Sequence, residues 1–350
     1  MSLFYMNQKP ATIKEIAKRL NVSVSTVSRA LHNHPSIGLR TKTQVQKLAA
    51  ELNYEPNQAA ISFKQGKTFT IGVILPNLGE EFFSTAINGV EDIASQNNYT
   101  VLIGQSHDDI EREKKIVDTM RRHRVDGLLV SLSKNTDSFE HFEQFKTYSI
   151  PLVFFDRVPD LPEAYTVSCN LKNSSVQLVD WLVSKGHKHI GFIKGPETMK
   201  PSQERLNGYL EGLKKNKLAV DTAYIVQTDL DKEKTLEAMK KLLLLKKRPT
   251  AVIAFNDYVA LDAIKYCRTR GLKVNEDIFF ASYANLPMTS YLDAPPLASV
   301  EQFPYEQAEK ATSMLIQLIN DKNADGIIEK KVIMQSNVII HETLSKKFKK

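Results

Sequence analysis

From Thr12 to Tyr54 apolar residues recur at helical spacing, and from Phe69 onward the pattern changes to short apolar runs alternating with amphipathic stretches. Thr12-Ile13-Lys14-Glu15 has the form of a capping box, in which the Thr12 hydroxyl accepts from the Glu15 amide and the Glu15 carboxylate reaches back to the Thr12 amide. A first helix therefore starts at Ile13, with Ile13, Ile16, Ala17 and Leu20 on its apolar face. Asn21-Val22 breaks the run, and Ser23 caps a second helix over Val24–Leu31 whose Val27, Ala30 and Leu31 face the first. A third run, Thr41 to Leu52, turns Val45, Leu48, Ala49 and Leu52 inward. The second helix leaves Ser25, Thr26, Ser28 and Arg29 outward. Small polar side chains let a helix approach a duplex, and an Arg can reach a guanine edge or hold a phosphate. The competing reading is a helical hairpin that merely caps another domain.

Beyond Phe69 the alternation predicts strands at Thr70–Leu75, Tyr99–Gly104, Gly127–Ser131 and Pro151–Phe155, separated by helices at Glu80–Gln96, Ile110–His123 and Phe139–Lys146. A second cycle follows Asp156-Arg157. It has a strand position at Val167, strands at His189–Ile193, Ala223–Gln227, Thr250–Ala254 and Ile278–Ser282, and helices at Ser174–Ser184, Gln203–Lys217, Lys232–Lys247 and Tyr258–Arg270. Short loops between alternating elements are the mark of parallel sheets covered on both faces by helices, and two cycles imply two similar subdomains. Leu297–Val300, a helix over Tyr305–Ile319 opened by Pro304, and strands near Ile327–Met334 and Asn337–His341 complete the chain, which is expected to cross back to the first subdomain near Pro304. Such a crossing makes a hinge, and a hinge makes a cleft.

Charge sharpens this picture. Residues 1–67 hold seven Lys and three Arg against three Glu, so the whole formal excess of +7 sits on the N-terminal module and the rest of the chain sums to zero. A polyanion-binding domain concentrates charge in this way, whereas a solubility effect would spread it. Cys169 and Cys267 are far apart and read as two reduced thiols rather than a disulfide. The histidines show no metal-ligand spacing, His187 and His189 reading as a turn and an edge position rather than a zinc site. With no long apolar run and no leader, the chain is expected to be cytoplasmic and nucleoid-associated, without a membrane partner. The closing Lys346-Lys347-Phe348-Lys349-Lys350 reads as a frayed tail rather than a nucleic-acid arm.

Pro56 and Gly66 bound a segment long enough for one or two helical turns, too few to stand alone. If it folds against DNA, Phe63 is placed to wedge between base steps with Lys64 beside a phosphate; otherwise Phe63 anchors the linker to the body. In the cleft, no G-x-G-x-x-G, P-loop or nucleophile-elbow motif appears, so no catalytic residue, cofactor or metal is expected. Polar residues do recur at strand ends: Asn77, Asp156, Arg157, Arg205, Asn256, Asp257, Asn285 and Gln302. Amides, carboxylates and Arg together suit a hydroxyl-rich small molecule, because each sugar hydroxyl both donates and accepts. Phe82, Phe83 and Tyr283 supply stacking walls, and Asp257 reads equally as a ligand contact or as a helix N-cap.

Thr12-Ile13-Lys14-Glu15-Ile16-Ala17, then Val22 to Leu31, closed by Leu52-Asn53-Tyr54-Glu55-Pro56-Asn57, resemble the lactose, galactose and purine repressor family of transcriptional regulators. The resemblance runs from about Thr12 to His341. It implies an all-α helix-turn-helix domain over 10–57, a hinge helix over 58–67, and an α/β periplasmic-binding-protein-like body of two doubly wound subdomains over 68–345. Subdomain one would take about 68–158 plus 286–320, and subdomain two about 159–285 plus 321–345. By the same resemblance Val24, Ser25 and Arg29 read base edges, Thr12, Ser23, Thr26 and Ser28 contact phosphates, and Phe63 stands where the family places a leucine wedge. Effector contacts carry over onto Phe82, Phe83, Arg157, Arg205, Asn256, Asp257, Tyr283 and Gln302. Departures are Gly38 in place of a hydroxyl cap, Asn170 in place of an aspartate, and Ser282-Tyr283-Ala284-Asn285 in place of Gly-Phe-Asp-Asp. The expected molecule is a homodimeric repressor of a pseudo-palindromic double-stranded operator, controlled by a small polar effector, a sugar or sugar derivative. A solute-binding module for uptake and a sugar-converting enzyme are the alternatives.

Overall fold

The computed structural model describes residues 11–56, 66–320 and 328–341. Phe63, Lys64 and most of the expected hinge helix lie outside the described residues, as does the terminal lysine run. The chain divides into two compact units, Met1–Thr68 and Phe69–Lys350.

The N-terminal unit contains α1 (Ile13–Leu20), α2 (Val24–Leu31) and α3 (Leu39–Glu51). Ile16, Ala17, Val27, Ala30, Val45 and Ala49 are buried together as its core, as helical spacing predicts. Thr12 caps α1 by accepting from the Glu15 amide at 3.2 Å. The other half of the expected capping box is replaced: the Glu15 carboxylate pairs one turn ahead with Arg19 at 2.6 Å, a favourable i,i+4 ion pair. Ser23 caps α2 by accepting from the Thr26 amide at 3.0 Å, whereas Gly38 gives α3 no side-chain cap. Asn21, Asn33 and Asn53, each following a helix, take left-handed backbone, which asparagine tolerates better than most L-residues.

The larger unit has two six-stranded sheets. The first contains β1 (Thr70–Leu75), β2 (Thr100–Gln105), β3 (Gly127–Val130), β4 (Leu152–Phe155), β5 (Tyr165–Cys169) and β11 (Lys331–Met334), in the order β11-β5-β4-β3-β1-β2 and parallel throughout. The second contains β6 (Ile190–Lys194), β7 (Ile225–Gln227), β8 (Ala251–Ala254), β9 (Phe279–Tyr283), β10 (Ala298–Glu301) and β12 (Asn337–Ile340), in the order β12-β10-β9-β8-β6-β7, with only β12 antiparallel. Helices α4 (Glu81–Gln96) and α11 (Pro304–Asn320) cover one face of the first sheet, burying Ile71, Val73, Val153, Ala308 and Leu315; α5 (Ile110–Arg122) and α6 (Glu140–Thr147) cover the other. The second sheet lies between α7 (Leu171–Ser184) with α8 (Lys200–Lys215) and α9 (Lys232–Leu243) with α10 (Asp257–Thr269). The starts of α7 and α8 and the end of α9 differ from the sequence expectation by a few residues, Asn170 capping α7 and Pro201 opening α8. A Cβ on Gly208 of α8 would lie 2.1 Å from the Lys172 carbonyl, so glycine is what lets α7 and α8 touch.

Strand pairing moves the subdomain boundaries expected from sequence. Tyr165–Cys169 pairs with β4 and stays in the first sheet, although residues after 158 were expected in the second subdomain. Ala298–Glu301 pairs with β9 and stays in the second, although residues after 285 were expected in the first. Lys331–Met334, also expected in the second subdomain, joins the first sheet beside β5. The chain therefore crosses between subdomains after Cys169, after Glu301 and after Met334. The crossings are stitched together: the Asn170 amide donates to the Met334 carbonyl at 2.9 Å, the Cys169 thiol to the Gln302 carbonyl at 3.0 Å, and the Ser336 hydroxyl to the Asn170 carbonyl at 3.1 Å. Cys169 and Cys267 are both free and buried, as a reduced pair.

Candidate functional site

On the N-terminal unit, Ser23, Val24, Ser25 and Arg29 are exposed, Thr26 and Ser28 half-buried, and Thr12 exposed at the start of α1. At 100° per residue Val24, Ser28, Ser25 and Arg29 fall within roughly 140° of arc on α2, opposite the buried Val27 and Ala30. Ser23 Oγ also lies 2.7 Å from Ser25 Oγ and 2.8 Å from Thr26 Oγ1, so three hydroxyls share one network at the N-terminus of α2. A helix start lined with hydroxyls and backbone amides favours a phosphate. Arg29 makes no ion pair among the described residues, which leaves its guanidinium free for another partner.

In the body, the carboxyl ends of β1, β4, β8, β9 and β10 converge on a cavity lined by Phe82, Phe83, Arg157, Arg205, Asn256 and Gln302 of the expected contacts. Both sheets contribute, which places the cavity between the subdomains at the strand ends, where open α/β sheets bind ligands. Phe82 and Phe83 meet edge to face with ring centroids 5.2 Å apart. The Asn256 carbonyl oxygen caps α10 by accepting from the Val259 amide at 2.9 Å, which leaves its amide nitrogen as a donor.

Arg205 is the most constrained group of the site. It is 4% exposed and sits between the rings of Phe255 and Tyr283, 4.2 and 4.4 Å from their centroids. It donates to the Phe255 carbonyl at 2.9 Å and to Gln302 Oε1 at 3.1 Å, while its buried Nε has no partner. Burial pulls this guanidinium down to about 10, so it remains charged at neutral pH. Because Arg only donates, Gln302 must present its oxygen to Arg205 and its amide nitrogen elsewhere. Arg157 is engaged within the first subdomain, donating to Asp108 at 2.5 Å. Burial works against its charge, yet Asp108, Glu80 and Asp156 more than offset that and raise its pKa.

Two expected contacts do not line the cavity. Tyr283 is fully buried beneath Arg205, its hydroxyl 2.5 Å from Ser175 Oγ, and serves as the floor under the guanidinium rather than as a stacking wall. Asp257 is neither the N-cap nor a cavity wall: Asn256 is the cap, and the buried Asp257 carboxylate accepts from Ser282, from Ser299 at 2.9 Å and from the Leu286 amide at 2.7 Å, tying β9 and β10 to the loop after β9. Sequence reading missed Glu80, Met199, Pro201 and Phe255 on the lining, and placed Asp156 only as a strand-end polar residue. Glu80 directly precedes α4, where an acidic residue reads as a partner for the helix dipole. Asp156, directly after β4, adopts φ 57, a backbone state whose signal in sequence is only a short polar residue at a strand end. Burial pushes its carboxyl up to about 6, against the pull of Arg157 and Arg205.

The Glu81 amide donates to Tyr258 Oη at 3.3 Å, and Lys134 Nζ donates to the Asp229 carbonyl at 2.8 Å, so contacts span the two subdomains at the cleft as well as at the hinge. Among the described residues no cluster could hold a metal ion, and no helix is long and apolar enough to cross a membrane.

Residues 12–57 match the lacI family of bacterial regulatory proteins, and residues 71–323 match the periplasmic binding protein domain. The HTH-type transcriptional repressor CytR of Escherichia coli K12 is 34% identical over 306 residues, covering 87% of this chain and 89% of CytR. The HTH-type transcriptional repressor PurR of Aliivibrio fischeri is 30% identical over 341 residues, covering 97% of this chain and 100% of PurR. Among solved structures, the lac repressor dimer bound to operator and the anti-inducer ONPF matches with a TM-score of 0.82 at 23% identity, covering 96% of this chain and 99% of that one, a likeness of fold. Repressors are not enzymes, which removes the sugar-converting alternative, and the DNA-binding head removes the stand-alone uptake module. The chain belongs to the lacI family of bacterial regulatory proteins and is a DNA-binding transcriptional repressor.

Proposed function

We propose that this repressor binds a pseudo-palindromic operator as a homodimer through the exposed arc of α2, and releases or grips it according to a small polar effector held between the subdomains. Val24, Ser25 and Arg29 read base edges, Thr12, Ser23, Thr26 and Ser28 hold phosphates, and Phe63 with Lys64 act at the operator centre. Exposed Met288 and Tyr291, the latter 89% exposed, offer apolar surface for a second copy. The effector is a sugar or sugar derivative. The observation carrying that choice is the mixture on one cavity wall of free donors (the side-chain amide nitrogens of Asn256 and Gln302) with the carboxylates of Glu80 and Asp156. Polyols satisfy such a mixture because each hydroxyl does both jobs. Phe82, Phe83 and Phe255 favour a nucleoside as the second reading, since a flat base would lie against them.

Selection of bound DNA from a random library, repeated with a panel of sugars and nucleosides, tests the whole reading. A palindromic consensus whose occupancy responds to one class of ligand is expected, and a consensus without symmetry would overturn the dimer. Arg29→Ala should weaken operator binding by roughly 1–3 kcal/mol and leave scrambled DNA nearly unaffected. Equal losses on both would remove Arg29 from base readout.

A further inference from the structure

Glu80 and Asp156 line the effector cavity, and neither side chain has a hydrogen-bond partner among the described residues. An acidic residue ahead of α4 could satisfy the helix dipole from solvent, yet Glu80 is half-buried and close enough to Asp156, Asp108 and Arg157 to feel all three charges. Of the two guanidiniums on the wall, Arg157 is neutralised by Asp108 at 2.5 Å. Glu80, Asp108 and Asp156 stand together against the two guanidiniums of Arg157 and Arg205, which leaves one carboxylate in excess. The cavity thus holds an excess of negative charge. Away from bulk water a second anion is repelled strongly, because the interaction grows as the dielectric falls.

We propose that Glu80 acts with Asp156 as a charge filter, so that the cavity admits a neutral or amino-bearing polyol and rejects its phosphorylated and carboxylated forms, Glu80 being the selectivity residue. This rests on the placement of the effector in the cavity. A hydroxyl or ammonium group donates to the carboxylates, while a ring or hydroxyl oxygen accepts from the side-chain amide nitrogen of Asn256. A phosphate at the same place would find two carboxylates facing it and a guanidinium already donating to Phe255 and Gln302.

Inorganic phosphate is the probe, titrated into the full-length protein at pH 7.5 and fixed ionic strength. Glu80→Gln should bind it at least tenfold more tightly than the wild type, and Asp156→Asn should show the same gain. Equal affinity, or equal absence of binding, in wild type and both variants overturns the filter. Adding Gln302→Glu to Glu80→Gln returns a carboxylate beside Arg205 and should restore the wild-type response; a phosphate site that survives this change lies elsewhere and also overturns the proposal. Failure of the effector placement gives a different result: sugars or nucleosides that release the wild type from operator would release the Gln302→Glu protein equally well.

Discussion

Asp156→Asn should make the unliganded protein more stable while damaging its response to effector. The carboxyl lies in the cavity with its pKa raised from 3.8 to about 6, chiefly by burial. Because the folded value exceeds the unfolded one, the folded state holds more protons between these limits, and stability falls as pH rises through that window. Above pH 6 the penalty is fully present. Each pKa unit corresponds to about 1.4 kcal/mol, which caps the penalty at about 3 kcal/mol, and the partial exposure of the side chain brings it to about 1–2 kcal/mol. Asparagine keeps the side-chain shape and accepts the backbone, since φ at this position is 57 and Asn is enriched in left-handed conformations. Urea unfolding of both proteins at pH 7.5 should therefore favour the variant, with the gap mostly closed by pH 4. A variant no more stable at pH 7.5, or an advantage independent of pH, would refute the assignment of strain to this carboxylate.

Asp257→Ala strips the acceptor from two buried hydroxyls and the Leu286 amide and should cost at least about 3 kcal/mol in urea unfolding; a loss under 1 kcal/mol would contradict its structural role. Gly208→Ala forces a Cβ to within 2.1 Å of the Lys172 carbonyl and 2.5 Å of Ser175 Cβ, so thermal unfolding should show a loss of about 1–3 kcal/mol, and an unchanged midpoint would show that α7 and α8 can separate freely. Lys134→Met removes the hydrogen bonds to Asp229 across the cleft. With Asp229 54% exposed, the change should cost under about 1 kcal/mol in stability and widen the body measured by small-angle scattering; an unchanged scattering profile would count against a clasp.

The head was legible in sequence because its determinants are local. Caps at Thr12 and Ser23 and the spacing of Ile16, Val27 and Val45 lie within one or two turns of what they specify. Two details departed: Glu15, where two local partners competed and Arg19 won, and the third helix, which begins at Leu39 rather than Thr41. The alternation of the body was legible for a related reason: a parallel strand buried on both faces is a short apolar run wherever it pairs. Which sheet a strand joins is not local. Nothing in Tyr165-Thr166-Val167-Ser168-Cys169 distinguishes pairing with Leu152–Phe155 from a fresh start, and the loop before it, Pro159 to Pro162, reads as a linker. The same holds for Ala298–Glu301. In the cavity, Asn256 and Gln302 could be placed by their position at strand ends, whereas Arg205 lies inside α8, not at a strand end as expected, and Asp257 could not be placed at all. It adjoins Asn256, and that single step exchanges cavity lining for a buried brace.

The hinge and the cavity share Gln302. Its side-chain oxygen accepts from Arg205, while its backbone carbonyl receives both the Cys169 thiol and the Gln307 amide, at 3.0 and 2.7 Å. The thiol remains protonated because burial pushes it up to about 12, which keeps it a donor at neutral pH. The next residue, Phe303, takes φ 54 at the crossing into α11. A ligand that displaces the Arg205–Gln302 hydrogen bond therefore acts one residue from a backbone turn whose neighbours belong to the other crossings. Ligand binding shifts a conformational equilibrium only by the difference in its affinity for the two states. Here such a difference has a concrete source: an arrangement of the subdomains that keeps Gln302 on Arg205 leaves fewer donors for the ligand than one that frees them.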